Sequence, residues 1–412
     1  MKRKIFFPVL MLAYSLNVGA SNPINEFILT AQTEVLPITF NDATTTPNAF
    51  SSWVEEAQFR FNASVDNRFV FDEHSQAYEI RLKPKAWGQR DAENEILKLH
   101  SIQQNNTYNQ KLNLALKKRY IVLLNYLEQQ HKTLYLLQLT KLLIQEKNLI
   151  RSEVMTRQFN ATKFLDIESL LQQSKGMANL NLSRLNAIQS QLQLPQDSAE
   201  SLLANKHASW VINISEIHHH LLEITEIHQS ALEIKNFKLK LQVVQAEKQL
   251  TQAEQQLGIN LLSFEYKDSE NDAMSFLLGI NIPLGTTFKR AKSQYQLQTA
   301  QSQLRDSQNG IKQNLDELQK NIGWLTEEQS LVSIQIMRVR KHLLKAYAQT
   351  NPLLMLNLRK EVIEYTKKSV DIQHKVLKLY ISYLELSGQL VQLPLRNWLQ
   401  HETPELISRN GT

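Results

Sequence analysis

The sequence predicts a mainly α protein with a small antiparallel β part, built as a tandem repeat of a β-hairpin followed by a long α-helical hairpin. Three observations carry that reading. Turn formers are scarce, long proline-free stretches carry leucines at helical spacing, and two pairs of alternating segments stand at corresponding places in the two halves of the chain. The 412 residues hold 10 Gly and 10 Pro, against about 29 and about 21 at average usage. No proline lies between Pro84 and Pro195, between Pro195 and Pro283, or between Pro283 and Pro352. Turn-dense all-β sandwiches, collagen-like chains and doubly wound α/β enzymes all need more frequent breaks.

The first twenty residues read as a secretory signal: Met1-Lys2-Arg3-Lys4, an apolar run from Ile5 to Leu16, and the small-residue site Val18-Gly19-Ala20. The run is shorter than the ~20 apolar residues of a membrane-spanning helix. Loss of Lys2, Arg3 and Lys4 would lower the formal net charge from +6 to +3, too small a surplus to indicate a nucleic-acid partner. The chain has no Cys, so export does not depend on oxidative folding and no acylated cysteine follows the signal. Later apolar stretches, Ile121–Leu127 and Leu134–Ile144, are interrupted by Asn125, Gln138 and Lys141. A membrane, if the chain meets one, is therefore met through strands.

Segment 21–58 is mostly polar and has no clear helical period. Then Phe59-Arg60-Phe61-Asn62-Ala63-Ser64-Val65 and Tyr78-Glu79-Ile80-Arg81-Leu82-Lys83 alternate with period two, the pattern of half-exposed strands, and Pro84 closes the second. From about Gln89 to about Thr156, Leu112, Leu116, Tyr120, Leu123, Leu127, Leu134 and Leu137 recur at helical steps, predicting a helix roughly 100 Å long. A break at Phe159-Asn160-Ala161-Thr162 precedes a return helix from Phe164 to about Leu192. The programme then repeats. A helical stretch from Glu226 to Leu257 leads to Gly258 and to alternating segments carrying Leu262, Phe264 and Tyr266, then Met274, Phe276, Leu278, Ile280 and Ile282, closed by Pro283. A helix from about Phe288 to Gln349 follows, with Gly310 and Gly323 as its weak points, and Thr350-Asn351-Pro352 breaks it before a return helix from Leu353 to Leu386 capped by Gly388. The division is thus 1–20 signal, 21–58 N-terminal segment, 59–84 first membrane hairpin, 85–195 first long helical hairpin, 196–257 connecting and second-repeat helices, 258–284 second membrane hairpin, 285–394 second long helical hairpin and 395–412 C-terminal tail.

Four strands of roughly 8–11 residues match a bilayer crossed at a tilt, and their alternation suits a barrel wall with one apolar and one polar face. Four strands cannot close, since a barrel needs about eight to have an interior, and orphan backbone groups in lipid cost several kcal/mol each. Sister copies must complete the sheet, and three copies supply a twelve-stranded barrel continued by an α-helical tunnel. The narrow apolar stripes of the Gln-, Lys- and Glu-rich helices read as coiled-coil seams between two wetted faces. A soluble helical bundle carrying two hairpins is the alternative. Trp53, Phe59, Phe61, Tyr78, Trp87, Tyr266, Phe276 and Phe288 gather at strand ends, as an aromatic belt at the lipid boundary or as ordinary hairpin-to-helix packing.

The strand-to-helix junctions, Ile80-Arg81-Leu82-Lys83-Pro84 with Arg90 and Gly279-Ile280-Asn281-Ile282-Pro283-Leu284-Gly285 with Lys289, resemble those of the TolC-type outer membrane efflux proteins. So do the hairpin returns Thr162-Lys163-Phe164-Leu165-Asp166-Ile167 and Pro352-Leu353-Leu354-Met355-Leu356. The resemblance runs from about Phe59 to Leu390, mostly through architecture. It implies a homotrimeric channel for efflux or secretion, with its barrel among outer membrane lipids, a periplasmic extension, and docking to a periplasmic adaptor and an inner-membrane transporter. The docking tips it implies are Arg157, Asn160, Thr162, Gln349, Thr350 and Asn351. Where the family has tip glycines this chain has Asn160 and Asn351, which tolerate the left-handed conformation; its segment 21–58 predicts an irregular or incomplete upper wall. No aspartate pair stands near the second tip; Arg338, Arg340, Lys341, Lys345, Arg359 and Lys360 do. Of these, Arg338, Lys345 and Arg359 are candidate entrance charges: facing the lumen, a positive ring favours anions, whereas on outer faces they are solvated or paired between helices.

Glu216, His218, His219 and His220, with Glu223, Glu226 and His228, offer two-ligand pairs at helical spacing (Glu216 with His220, His219 with Glu223) but no protected third and fourth ligand. Phosphate loops, nucleophile elbows, metalloprotease helices and EF-hands are absent from the sequence. The expectation is a non-enzyme without cofactor or metal: a passive conduit across the outer membrane, or, as the alternative, a pore-less periplasmic or secreted coiled-coil scaffold.

Overall fold

A computed structural model describes residues 23–35, 54–66, 73–152, 160–194, 198, 202, 211–224, 231–256, 258–268, 273–281, 287–345 and 350–406; the signal segment lies outside them. In chain order the elements are α1 (Pro23–Glu34), β1 (Val54–Asp66), β2 (Glu73–Pro84), α2 (Gln89–Ser152), α3 (Ala161–Gln191), α4 (Ile214–Ile224), α5 (Leu232–Glu254), β3 (Gly258–Asp268), β4 (Ala273–Asn281), α6 (Thr287–Leu343) and α7 (Pro352–Ser387), followed by a 3-10 turn at Gln389–Val391. The fold is mainly helical with one small antiparallel sheet, strand order β1-β2-β3-β4.

The two repeats are visible in this order: hairpin β1-β2 feeds α2 and returns as α3, and hairpin β3-β4 feeds α6 and returns as α7. α2 has 64 residues and α6 has 57, so each runs for roughly 85–95 Å. A helix that long is held by a seam rather than by one core. On α3 the buried positions are Ile167, Leu171, Ser174, Ala178, Leu185 and Gln189, steps of three, four and seven that keep one stripe on a neighbour. On α6 the buried residues Ala300, Ile311, Leu315, Ile322, Val332 and Val339 follow the same spacing. Gly310 and Gly323 do not interrupt α6: each flanks a buried isoleucine, Ile311 or Ile322, whose packing outweighs the ~1 kcal/mol propensity cost of a helical glycine.

α2 packs against α3, α5 and α7, and α6 against α5 and α7. Since α5 leads into the sheet and α7 starts at the far tip, these two shorter helices occupy one corridor between α2 and α6 end to end. Three apolar clusters mark the length: Leu99 with Leu239, Val243 and Ala246 towards the sheet, a large middle core, and Leu143, Ile150, Ile167 and Leu171 towards the tip. The middle core takes in the chain's last described segment. The Tyr120 hydroxyl donates to the Arg396 carbonyl at 2.8 Å and accepts from Trp398 N–H at 3.3 Å, while the Asn397 amide donates to Asn25 Oδ1 at 2.7 Å.

The N-terminal segment departs from its sequence reading. Pro23–Glu34 is a helix, with Ile28 and Ala31 buried. Its apolar stripe is short and was masked by the polar run that follows, and tertiary packing on α2, where the Arg119 guanidinium stacks over Phe27 and pairs with Glu34 at 2.9 Å, supplies what periodicity lacked. Residues 36–53 lie outside the described residues. β1 and β2 also extend beyond the alternating segments read from sequence, to 54–66 and 73–84.

Candidate functional site

The sheet separates its residues largely by face, with Leu261 and Leu277 as apolar exceptions on the polar side. Its register lines up Ala57, Leu82, Leu262 and Leu278 in one cross-strand row, Phe59, Ile80, Phe264 and Phe276 in the next, and Phe61, Tyr78, Tyr266 and Met274 in a third. Side-chain period two puts all twelve on one face. Among the described residues nothing covers that face: Phe59 is 67% and Phe276 68% exposed. The opposite face carries Gln58, Arg60, Arg81, Glu79, Ser263, Glu265 and Ser275 in the intervening rows. Its polar groups pair along and across the strands: Arg81 with Glu79 at 2.5 Å, Ser263 donating to Glu79 at 2.8 Å, Lys267 with Glu265 at 3.5 Å. β1 and β4 are edge strands, each paired on one side only among the described strands. Trp87, 91% exposed, and Phe288, 75% exposed, flank the sheet at the two strand-to-helix junctions; Trp53 lies outside the described residues.

Among the described residues the helical elements have open edges too. Towards the tip the order is α3, α2, α7, α6. α3 turns its buried stripe to α2, yet Leu170 and Met177, about one 100° step round the helix from Leu171 and Ala178, and Leu180, farther round still, remain exposed. α6 is buried towards α7, yet Trp324, Leu331, Ile334, Met337 and Leu344 remain exposed. Each outermost helix thus carries a second apolar stripe.

At the tips, Asn160 and Asn351 do the same job. Each is the N-cap of a return helix: Asn160 Oδ1 accepts from Lys163 N–H at 2.9 Å and Asn351 Oδ1 from Leu354 N–H at 3.0 Å. Their backbones are extended, φ −108° and −114°, not left-handed as the sequence reading allowed. A short carboxamide satisfies an orphan N–H of the first turn, and that preference, not tolerance of positive φ, places asparagine here. Thr162 and Thr350 stand beside these caps and are exposed; Arg157 and Gln349 lie outside the described residues. Arg338, Lys345 and Arg359 are all exposed near the second tip. Lys360 is different: it pairs with Glu146 of α2, only 3% exposed, which Lys163 of α3 also approaches at 3.9 Å. This triad ties the two helical hairpins together, and two of its members lie too far apart in sequence for spacing to reveal it.

Histidines follow the same logic. Glu216 is engaged by His401 at 2.8 Å and His220 by the Tyr380 hydroxyl at 3.1 Å, so the sequence pair Glu216 and His220 points to different partners. Among the described residues no group of three His, Asp or Glu side chains converges as metal ligands. A second pair has no signature in the spacing of the sequence: His131 Nδ1 of α2 and His374 Nε2 of α7 lie 2.8 Å apart. Burial lowers the His374 imidazole to about 4, against the raising pull of Glu128 and Asp371. Beside it burial pushes the Glu128 carboxyl up, but bonds from Lys132 and Lys378, each 2.6 Å, outweigh that and hold it at about 2.

No sequence-family model and no curated protein matches the chain. Solved structures do. The open state of the MtrE outer membrane channel of Neisseria gonorrhoeae is 13% identical, with 89% of each chain covered and a TM-score of 0.58. The outer membrane protein VceC of Vibrio cholerae is 12% identical over 89% of this chain and 92% of that one, TM-score 0.56. CusC, whose structures concern folding and transmembrane channel formation, is 12% identical over 89% and 91%, TM-score 0.56. A tandem of β-hairpin and long helical hairpin, open along both edges and bare on one sheet face, thus has solved counterparts over nearly nine-tenths of its length, and its fold is that of the TolC-type outer membrane channels.

Proposed function

We propose that the chain is one subunit of a trimeric conduit that spans the outer membrane and extends into the periplasm, for efflux or secretion. One observation carries this: a four-stranded sheet with an uncovered apolar face and two unpaired edges. In an antiparallel sheet of even strand number, β1 and β4 run in opposite directions, so β4 of one copy meets β1 of the next with the alternation unbroken. Repeating that step three times closes a twelve-stranded barrel with the phenylalanine rows towards lipid and the Arg60, Glu79 and Glu265 rows towards water. Closure removes the edges, each of whose unpaired groups would cost several kcal/mol in hydrocarbon. The second stripes on α3 and α6 suit the same ring, since each covers the other's exposed leucines and methionines when copies stand side by side. The fold shared with MtrE, VceC and CusC supports the reading.

Coupling to a periplasmic adaptor and an inner-membrane transporter belongs to the proposal as well. The tip segments around Asn160, Thr162, Thr350 and Asn351 are exposed and lie farthest from the sheet, so they are the surfaces a periplasmic partner meets. Purified protein reconstituted in planar bilayers tests the conduit: discrete conductance steps from a heat-modifiable trimer are expected, whereas a freely soluble monomer from a periplasmic extract would refute it. Substitution of Thr350 by Arg should reduce co-purification of adaptor with little change in trimer stability; loss of the trimer would contradict the docking assignment.

A further inference from the structure

Close to the sheet, α5 and α6 enclose a cationic groove that the conduit reading leaves without a role. Its volume is about 380 Å³, and it is lined by Lys248, Thr251 and Gln252 on one side and by Arg290, Ser293 and Gln294 on the other, with no carboxylate among its lining residues. Both cations are held by carboxamides instead: Lys248 Nζ donates to Gln294 Oε1 at 3.0 Å, and Arg290 Nε to Gln255 Oε1 at 3.3 Å. These bonds keep the two side chains on a seam within one chain, away from the outer edge of α6, and they leave both charges uncompensated. Gln255 is 7% exposed, and its Nε2 has no hydrogen-bond partner among the described residues, a costly state for a buried donor. α6 carries Lys289, Arg290 and Lys292 and no acid before Asp306. On α5, Glu247 and Glu254 are exposed and do not line the groove.

We propose that this groove binds a phosphate group. A guanidinium fork beside an ammonium is the side-chain chemistry that recognises phosphate, and the Arg290 bond uses only one of the five guanidinium donors. Arg290 also stands in the first turn of α6, where the helix end is partly positive. The volume suits a phosphate together with the glycerol it carries. Two sources can bring that chemistry. Lys248 lies about 15 Å along the chain's helical rise from the start of β3, and the exposed Phe288 and Trp87 stand at the same strand-to-helix level, where aromatic side chains meet the lipid boundary. Resting on the conduit reading above, a phospholipid headgroup of the periplasmic leaflet reaches the groove from outside the ring, whereas a phosphorylated solute reaches it from the bore. The two aromatics favour the lipid.

Native mass spectrometry of the purified protein measures binding, with phosphatidylglycerol and phosphatidylcholine of the same acyl chains as lipid probes and glycerophosphate as the soluble one. Phosphatidylglycerol should be retained roughly tenfold better than phosphatidylcholine, whose own cation the groove repels. Gln294→Glu, nearly isosteric, sets a carboxylate on Lys248 and should weaken retention about tenfold, as should Arg290→Gln. Lys292→Gln, about 200° round α6 from Arg290, should change it less than about twofold. If Arg290→Gln fails to assemble, Gln294→Glu decides alone. Retention of glycerophosphate without lipid preference, lost in the same two variants, assigns the phosphate to a solute in the bore. Binding of neither probe, or equal losses in all three variants, would overturn the proposal. The groove lies within one chain, so both probes can be measured on a monomer; failure to conduct refutes the conduit and leaves this measurement standing.

Discussion

His374 is 5% exposed and shares a 2.8 Å contact with His131, with Glu128 and Lys132 bearing on it from α2 and Asp371 and Lys378 from its own helix. Only one proton fits between the two facing nitrogens. Burial holds His374 at about 4, below its ordinary value of about 6.5, so the fold keeps the ring neutral. Its contribution is complete above pH 6.5 and is lost as the pH falls from there towards 4, about 3 kcal/mol per chain. Thermal unfolding of the native assembly should therefore weaken over that window, while His374→Gln should flatten the profile there; identical profiles would contradict the assignment. At the tips, Asn160→Ala and Asn351→Ala should each cost about 1 kcal/mol and the Gly substitutions only a few tenths, because glycine is itself tolerated at an N-cap. Denaturation midpoints check this, and equal losses for Ala and Gly would argue against capping. The sequence pointed to the asparagines through their place before each return helix. It could not point to His131 with His374, or to Glu146 with Lys360, because those contacts join helices more than 200 residues apart.

Elements were more legible than residues. Period two in Phe59-Arg60-Phe61 and Tyr78-Glu79-Ile80 announces strands because one face must differ from the other, and the register shows both hairpins contributing to the same apolar face. Long apolar seams, of leucines in α2 and mainly of Ile and Val in α6, mark these helices because only an unbroken 3.5-residue stripe can hold a helix of that length on its neighbours. α1 was illegible: twelve residues offer too little periodicity, and its order comes from α2. The sheet's faces predict opposite outcomes for one kind of change. Arginine in place of Phe264 should destabilise the membrane-inserted assembly by about 2–4 kcal/mol at mid-depth, whereas Arg in place of Ser275, on the polar face, should alter conductance and leave stability nearly unchanged. Refolding equilibria in lipid vesicles report the first and single-channel current the second. A similar penalty at both positions would mean that the sheet does not separate lipid from water. The second stripes make a parallel claim for the helices: Met177→Asp or Leu331→Asp should lower the heat resistance of the proposed trimer while leaving each subunit's own seams intact.

For the molecule as a whole, the duplication, the uncovered sheet face and the paired open edges all call for the same completion by sister copies. In the proposed ring each of these, bare phenylalanines, idle strand edges and idle helix stripes, is a surface that an identical neighbour would occupy. The chain's lack of cysteine gives a clean background for the direct measurement. With Ala57→Cys on β1 and a series of single cysteines along β4 from Met274 to Ile280, oxidation in the membrane should link β4 of one subunit to β1 of the next. The account predicts a covalent ladder ending at three chain masses, appearing for one register of β4 positions and missing for the rest. Cross-links confined to single chains, or none at any β4 position, would contradict it.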